Sequence, residues 1–431
     1  MPRIVLTRTT TVAAAIGLAM LLVPALGAAP ASHATVPIAG QEASARRIVA
    51  VGDIHGAYEE LVSVLRVAGI IDDDLKWSGD DTVFVQTGDF MDRGAGVRQV
   101  MDLLMRLQGE APDTGGEVIV LLGNHEAMNL IGEFRDAPAE QMAAFSGEDE
   151  DDVLDSAWGE LQRVIEATNT GRMSSRRRRD LRNSWQENTS AERIAYARAI
   201  GPSGSYGAWL RTLPLTATVD GIVFMHAGVA PEYAGRGLEA LNQRVVDEIA
   251  AMDSYREVLV EDRLLTSFGE LREIIRAAQQ QTGGFEWFDQ AKSGLPALSG
   301  AGGDSQADRR VWYDPLFRIQ RWYVLTERGP LWFRGLGTLV DPDNGAVLEA
   351  ILTAVGARAI VVGHSPQIDG IISRFDGRLF MIDTGMLSSV YSGRPAALEI
   401  GGEGAVAVYA DGTRGELQRP AAMPTSVSGA R

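Results

Sequence analysis

Four short polar loops contain four of the chain's five histidines, and each loop follows a run of apolar, β-branched residues. They are Gly52-Asp53-Ile54-His55-Gly56, Gly123-Asn124-His125-Glu126, His226-Ala227-Gly228 and Gly363-His364-Ser365-Pro366. A fifth loop of the same kind, Gly88-Asp89-Phe90-Met91-Asp92-Arg93-Gly94, carries two aspartates and an arginine. A lone histidine after a strand is commonly a capping or packing residue. Four in such loops, with Asp and Asn beside them, are hard to assign to packing. Ligands of open α/β sheets bind at the carboxyl ends of the strands. The five loops are therefore expected to meet on one edge of a sheet structure.

The runs between these loops set the fold class. Residues 46–51, 81–86 and 117–122 read as buried strands, and 58–68 and 97–107 have apolar residues at helical spacing. Strand, helix, strand, helix, strand is the pattern of a parallel sheet with crossover helices. Further strands are expected at 221–225 and 357–362, a hairpin at 374–382 turning at Asp376-Gly377, and two apolar runs within 396–409. Two mainly helical segments, 128–219 and 231–340, interrupt the pattern. The first holds an acidic run at 148–152 and a basic run at 176–179, which read as solvated faces. The second is glycine-rich at 300–303, with Trp312, Tyr313 and Asp314 expected in its own core and surface. The tail from 419 is expected to fray.

Composition narrows the chemistry. With 431 residues, 45% hydrophobic and 23% charged, the chain is globular and long enough for two domains or one domain with insertions. Forty basic against 57 acidic residues give a net charge of −17, which disfavours general nucleic-acid binding. The absence of cysteine excludes disulfides, thiolate metal sites and every cysteine nucleophile.

The N-terminus reads as a secretory signal over residues 1–34. Arg3 and Arg8 precede an apolar run at 12–29, and Ala31-Ser32-His33-Ala34 offers small residues for cleavage. An uncleaved membrane anchor is the alternative. Cleavage removes two arginines and no acids, taking the charge from −17 to −19. A periplasmic or extracellular location is expected.

Imidazole, carboxylate and amide oxygen without thiolate suit Mn, Fe or Zn. Two such ions sharing a carboxylate make a hydrolytic site that attracts phosphate. Arg93 beside the ligands adds a bidentate fork for phosphate.

GDIHG, GDFMDRG, GNHE, HAG and GHSP, in this order, resemble the motif set of PPP-type protein phosphatases within the calcineurin-like metallophosphoesterases. Asp53 to Asp89 spans 36 residues and Asp89 to Asn124 spans 35, each one strand–helix–strand unit. The resemblance covers residues 46–390. GNHEAMNL, PLWFRG and MIDTGM are similar to the bacterial Shewanella-like branch. The resemblance implies an α/β fold of the α+β type: a metallophosphatase β-sandwich of two mixed sheets flanked by helices, over 46–400, with the two helical insertions.

It also implies roles. Asp53 and His55 would bind a first divalent ion, Asp89 would bridge, and Asn124, His226 and His364 would complete a second site. Manganese is the leading choice. His125 would protonate the leaving oxygen, Asp92 would orient it, Arg93 would hold phosphate, and Glu126 would stand behind the ligands. A second phosphate arginine is expected; Arg334 is the candidate, the alternative being a surface arginine beside Trp332 and Phe333. HAG in place of HGG and the unusual inserts are departures from the pattern. The implied reaction is hydrolysis of a phosphomonoester by a metal-bridging hydroxide, on a phosphoprotein or phosphotyrosine peptide. A nucleotide or diadenosine polyphosphate is the alternative substrate, and a non-catalytic metal- or partner-binding protein the second alternative. Nucleic acid is not an expected partner, and a membrane is one only if the anchor stays.

Overall fold

The computed structural model describes residues 46–147, 149–168, 173–282, 306–402 and 404–418. The signal segment, the 300–303 glycines, Glu148 and the tail from 419 lie outside the described residues.

Eleven strands among these residues form two sheets. The first runs β11-β10-β9-β1-β2-β3, with β1 (Ile48–Val51), β2 (Val83–Gln86), β3 (Glu117–Val120), β9 (Ala396–Gly401), β10 (Gly404–Tyr409) and β11 (Arg414–Leu417). The second runs β4-β5-β6-β8-β7, with β4 (Thr216–Val219), β5 (Ile222–Met225), β6 (Ala359–Val362), β7 (Ile372–Arg374) and β8 (Leu379–Met381). In the first sheet β1, β2 and β3 are parallel and β9 to β11 antiparallel; in the second β5, β6 and β8 are parallel. Both sheets are therefore mixed, as expected.

Alternation explains the uniformly apolar strands. Ile48, Ala50, Val83, Val85, Ile222, Phe224, Val361 and Phe380 form one buried cluster, to which both sheets contribute. Their neighbours Val49, Val51, Phe84, Val223, Met225, Ile360 and Leu379 belong to another, shared with the helices. A strand buried on both faces needs apolar residues at every position. Each fully buried phenylalanine contributes about 1.5–3 kcal/mol of transfer free energy. On the helical side lie α1 (Tyr58–Val67) and α2 (Val97–Glu110). Glu59 and Glu60 in the first turn of α1 and Arg66 in its last complement the helix dipole. In α2, Val97, Val100, Met101, Leu104 and Leu107 make the buried stripe.

After β3 the motif helix α3 (Asn124–Leu130) leads into the first insertion, which contains α4 (Ala139–Ala143), α5 (Glu150–Thr168), α6 (Ser175–Glu187), α7 (Ala191–Ile200) and α8 (Ser205–Leu210). The second contains α9 (Pro231–Ala234), α10 (Leu238–Glu261), α11 (Leu271–Gln281) and α12 (Gln306–Phe317); α13 (Gly345–Val355) and α14 (Ser388–Tyr391) follow. Tyr313 is buried and packs with Trp312 against Tyr255 of α10.

Two boundaries differ from the sequence reading. Residues 216–219 are not insert: they form β4, an edge strand with mixed burial and no strong apolar run. The sheet also continues past the expected domain end at 400: β10 is the second of the two runs expected within 396–409, and β11 lies beyond them. In β11 (RGEL) the pattern is exposed and half-buried in alternation, which gives little hydrophobic signal.

Candidate active site

The loops meet at the carboxyl ends of the parallel strands. Asp53 and His55 follow β1, Asp89 to Arg93 follow β2, and Asn124 and His125 open α3 after β3. His226 follows β5 and His364 follows β6. Asp53, His55, Asp89, Asp92, Asn124, His125, His226 and His364 are all at most 4% exposed, so the cluster is an interior polar site.

Sharp turns bring the side chains inward. His55, Asp89, Asp92, Arg93 and His364 all have positive φ, between 48° and 69°. Each such residue costs of order 1–3 kcal/mol and persists only where its surroundings fix it. Here backbone bonds do so: Ile54 and His55 donate to Asp89 O at 2.9 and 3.0 Å, and Arg93 donates to Asp136 O at 3.0 Å. Glu126 ties two loops together. Its carboxylate accepts from the backbone N–H of Gly123 and Asp89 (both 2.8 Å), Met91 (2.9 Å) and Phe90 (3.0 Å). Gly123 sits inside this knot, where a Cβ would collide with Asp89 and with the Glu126 carboxylate.

Two donor groups share Asp89. His55, Asp89 and His125 form one; Asp89, His226 and His364 form the other, the ligand atoms within each lying within 4.8 Å of one another. His226 Nε2 lies 2.9 Å from Asn124 Oδ1, 3.0 Å from His364 Nδ1 and 3.3 Å from Asp89 Oδ2. Asp89, Asn124, His226 and His364 are thus brought together. The first group differs from the implied set: it holds His125 and not Asp53. Asp53 instead accepts the His364 backbone N–H at 2.9 Å, and its Oδ1 is 4.0 Å from His226 Nδ1. His125 has Nδ1 occupied by Asp92 Oδ2 at 2.7 Å and Nε2 3.9 Å from Asp89 Oδ2.

The charges are frustrated. Burial, then the neighbouring Asp383 and Asp89, pushes the Asp53 carboxyl well up. Burial also raises Asp383 to about 6, and burial with Asp89 raises Glu126 to about 7. Burial opposes the Asp89 charge as well, but His226, His125 and His55 outweigh it and hold that carboxyl well below its ordinary value. Burial pushes His55 down to about 3 and His364 to about 2. On His125 burial is overcome by Asp89 and Asp92, so its value rises. Neutral imidazoles, an amide oxygen and crowded buried carboxylates are a donor set that divalent cations relieve. The residues present fit divalent metal ions.

Two cationic side chains flank the cluster. The Arg93 guanidinium bonds His55 Nε2 and the Tyr391 hydroxyl. Arg334 donates to the His364 carbonyl and lies 3.3 Å from Ser365 Oγ, so it stands beside the second donor group.

Several residues of the site were not singled out from the sequence. Asp383 follows β8 as the motif residues follow their strands, and its place after an apolar run in MIDTGM was a usable signal. Tyr391 of α14 stacks on His55 with ring centroids 6.0 Å apart, and no local pattern marks it. Asn129, Gln141 and Tyr196 surround Asp92.

The model of the calcineurin-like phosphoesterase family matches residues 46–367, and the chain belongs to that family. It is a metal-dependent phosphatase, related to the Shewanella-like protein phosphatases. Shewanella-like protein phosphatase 2 of Arabidopsis thaliana is 25% identical over 367 residues, covering 82% of this chain and 75% of that protein. Shewanella-like protein phosphatase 1 of Plasmodium berghei is 42% identical over 88 residues, 20% of this chain and 24% of that one. The structure of the cold-active protein-tyrosine phosphatase of a psychrophilic Shewanella species superposes with a TM-score of 0.52 at 21% identity, covering 87% of this chain and 81% of that one. That likeness bears on the fold, and it agrees with two mixed sheets flanked by helices.

Proposed function

We propose that the chain is a dinuclear-metal phosphomonoesterase that dephosphorylates proteins outside the cytoplasm, with phosphotyrosine its leading substrate. The observation that carries this reading is the His125–Asp92 pair, bonded at 2.7 Å, beside the buried gathering of Asp89, Asn124, His226 and His364. Asp53, His55 and Asp89 would hold one ion and Asp89, Asn124, His226 and His364 the other, with Mn²⁺ the leading metal and Fe or Zn the alternatives. When bound, such ions lower the pKa of water and offset charge on the phosphoryl oxygens.

The chain's own residues do the rest. Arg93 offers a planar fork to the phosphate, and Arg334 a second from the His364 side. His125 delivers a proton from Nε2 to the leaving oxygen, while Asp92 fixes the ring through Nδ1. The name of the Arabidopsis relative supports a phosphoprotein substrate. With its acidic net charge the protein does not draw acidic targets from a distance, so local contacts must select them. Tyr391, half-buried over His55, offers an aromatic face to a phosphotyrosine ring or to a nucleobase. Export rests on the sequence of residues 1–34; among the described residues no helix is long and apolar enough to cross a membrane.

The test is phosphate release by the full chain, stripped with a chelator and assayed with and without Mn²⁺. Release from a phosphotyrosine peptide only with metal is the expected result. Preference for diadenosine tetraphosphate or a phosphoserine peptide would retain the site and discard the substrate. Bound metal with no release from any of them would overturn the enzyme reading. Fractionation of cells expressing the full chain tests export, with the protein expected outside the cytoplasm.

A further inference from the structure

Asp92 is held from the side of the first helical insertion, not only by His125. Its Oδ2 faces His125 Nδ1, and its Oδ1 receives two side-chain amides: Asn129 Nδ2 at 2.9 Å and Gln141 Nε2 at 3.3 Å. The hydroxyl of Tyr196 joins them, donating to Asn129 Oδ1 at 2.6 Å and accepting from Gln141 Nε2 at 2.7 Å. Asn129 Nδ2 also reaches the His125 carbonyl at 2.9 Å. Asp92, Asn129, Gln141 and Tyr196 are each at most 1% exposed.

The direction of these bonds is set by chemistry. A carboxylate only accepts, so both amides must turn nitrogen toward Asp92. Asn129 then presents oxygen to Tyr196, whose only hydroxyl proton goes there. Gln141 uses both of its N–H groups, one on Tyr196 and one on Asp92. Every donor in the circuit is committed, and the circuit ends on the carboxylate that orients His125. Burial, with the Asp92 charge nearby, pushes the Tyr196 phenol far up, so it keeps the proton it donates. Phe134 and Phe145 pack edge-on against the Tyr196 ring at 5.3 and 5.1 Å and fix where the hydroxyl points. Asn129 belongs to α3, within the motif region; Gln141 and Tyr196 come from α4 and α7.

We propose that Gln141 and Tyr196 are positioning residues for the general acid: they hold Asp92, and through it His125, in the orientation that protonates the leaving group. The first insertion would then be part of the catalytic apparatus as well as a surface for substrate. This rests on the reading of His125 as the acid, and the test keeps the two apart.

The readout is leaving-group dependence in the full-length, metal-loaded protein. Phenyl phosphate needs its leaving oxygen protonated; 2,4-dinitrophenyl phosphate does not. Tyr196→Phe retains the ring and removes the hydroxyl. The expected result is a kcat on phenyl phosphate lower by about tenfold, a fraction of the 10²–10⁴ that general acid catalysis supplies. On dinitrophenyl phosphate the loss stays under about twofold by the same argument, and KM and metal content do not change. Tyr255→Phe is the control: that tyrosine is equally buried, but its hydroxyl has no partner among the described residues, and the variant should match wild type on both substrates. Equal losses on the two substrates, or none, would overturn the proposal and leave a structural role for Tyr196.

His125→Asn is the benchmark, with a larger loss confined to phenyl phosphate. If it lacks that selectivity, the acid assignment falls and this proposal with it. A second readout needs no turnover. In the protein loaded with diamagnetic Zn²⁺, the proton between His125 Nδ1 and Asp92 should give a far-downfield NMR line, displaced or broadened in Tyr196→Phe; an unmoved line overturns the proposal by itself.

Discussion

The motif loops and the pair α5–α6 use similar residue types to opposite ends. Around Asp89 the charged and polar groups are buried, and Glu126 alone accepts four backbone N–H groups. Along α5 and α6 the charges face water: Arg178 pairs with Glu166 at 3.7 Å, and Arg176 with Asp180 at 3.9 Å. No residue of α6 is buried, and α5 buries only Val153, Ala157 and Trp158. Buried polar groups in a low dielectric are costly unless partnered, so the loops have essentially one arrangement. Exposed pairs are screened and weak, so many sequences would serve at α5–α6.

The sharpest way to break this comparison is Asp89→Asn. It removes the one carboxylate common to both donor groups. Metal analysis should show loss of bound ions, and kcat should fall by ~10³-fold or more. Retention of metal with normal turnover would mean the shared carboxylate is dispensable and the site is misread.

Glycines give a comparison of opposite sign. Gly123→Ala forces a methyl group against Asp89 and Glu126 and should cost about 1–3 kcal/mol by denaturant unfolding, the usual penalty of overpacking. Gly159→Ala, in the body of α5 with open space around its Cα, should stabilise by about 0.5–1 kcal/mol through helix propensity. Both changing stability in the same direction would erase the contrast.

The smallest effect is expected at the exposed pair of Arg182 and Asp155. Arg182→Ala should shift stability by less than about 1 kcal/mol, less still in high salt, with activity unchanged. A large loss of turnover there would mark α6 as a substrate surface.

The same contrast explains what could be read along the chain. The loop motifs were legible because their chemistry is local: a strand end, a glycine and a particular side chain stand within a few residues. Helices α1 and α2 were legible from periodicity. By contrast β4 and β11 carry mixed burial patterns, so no run of apolar residues announces them. Asp383 could have been found by the rule that located the other strand ends. Tyr196 could not: it lies 104 residues from Asp92 in a segment with no motif, and its neighbours read as an ordinary helix.

The sequence by itself determined which side chains are available for chemistry, their order, the parallel βαβαβ start and the exclusion of cysteine chemistry. Tertiary structure alone decided which groups meet within the expected cluster: His125 rather than Asp53 beside His55 and Asp89, Asp53 on the His364 backbone, and Tyr391 stacked on His55. It also decided that two helices of an insertion close a hydrogen-bond circuit on Asp92. The reason is physical: backbone turns and strand periodicity act over a few residues, whereas the partner of a buried polar group is chosen by whatever packing brings within three ångströms of it.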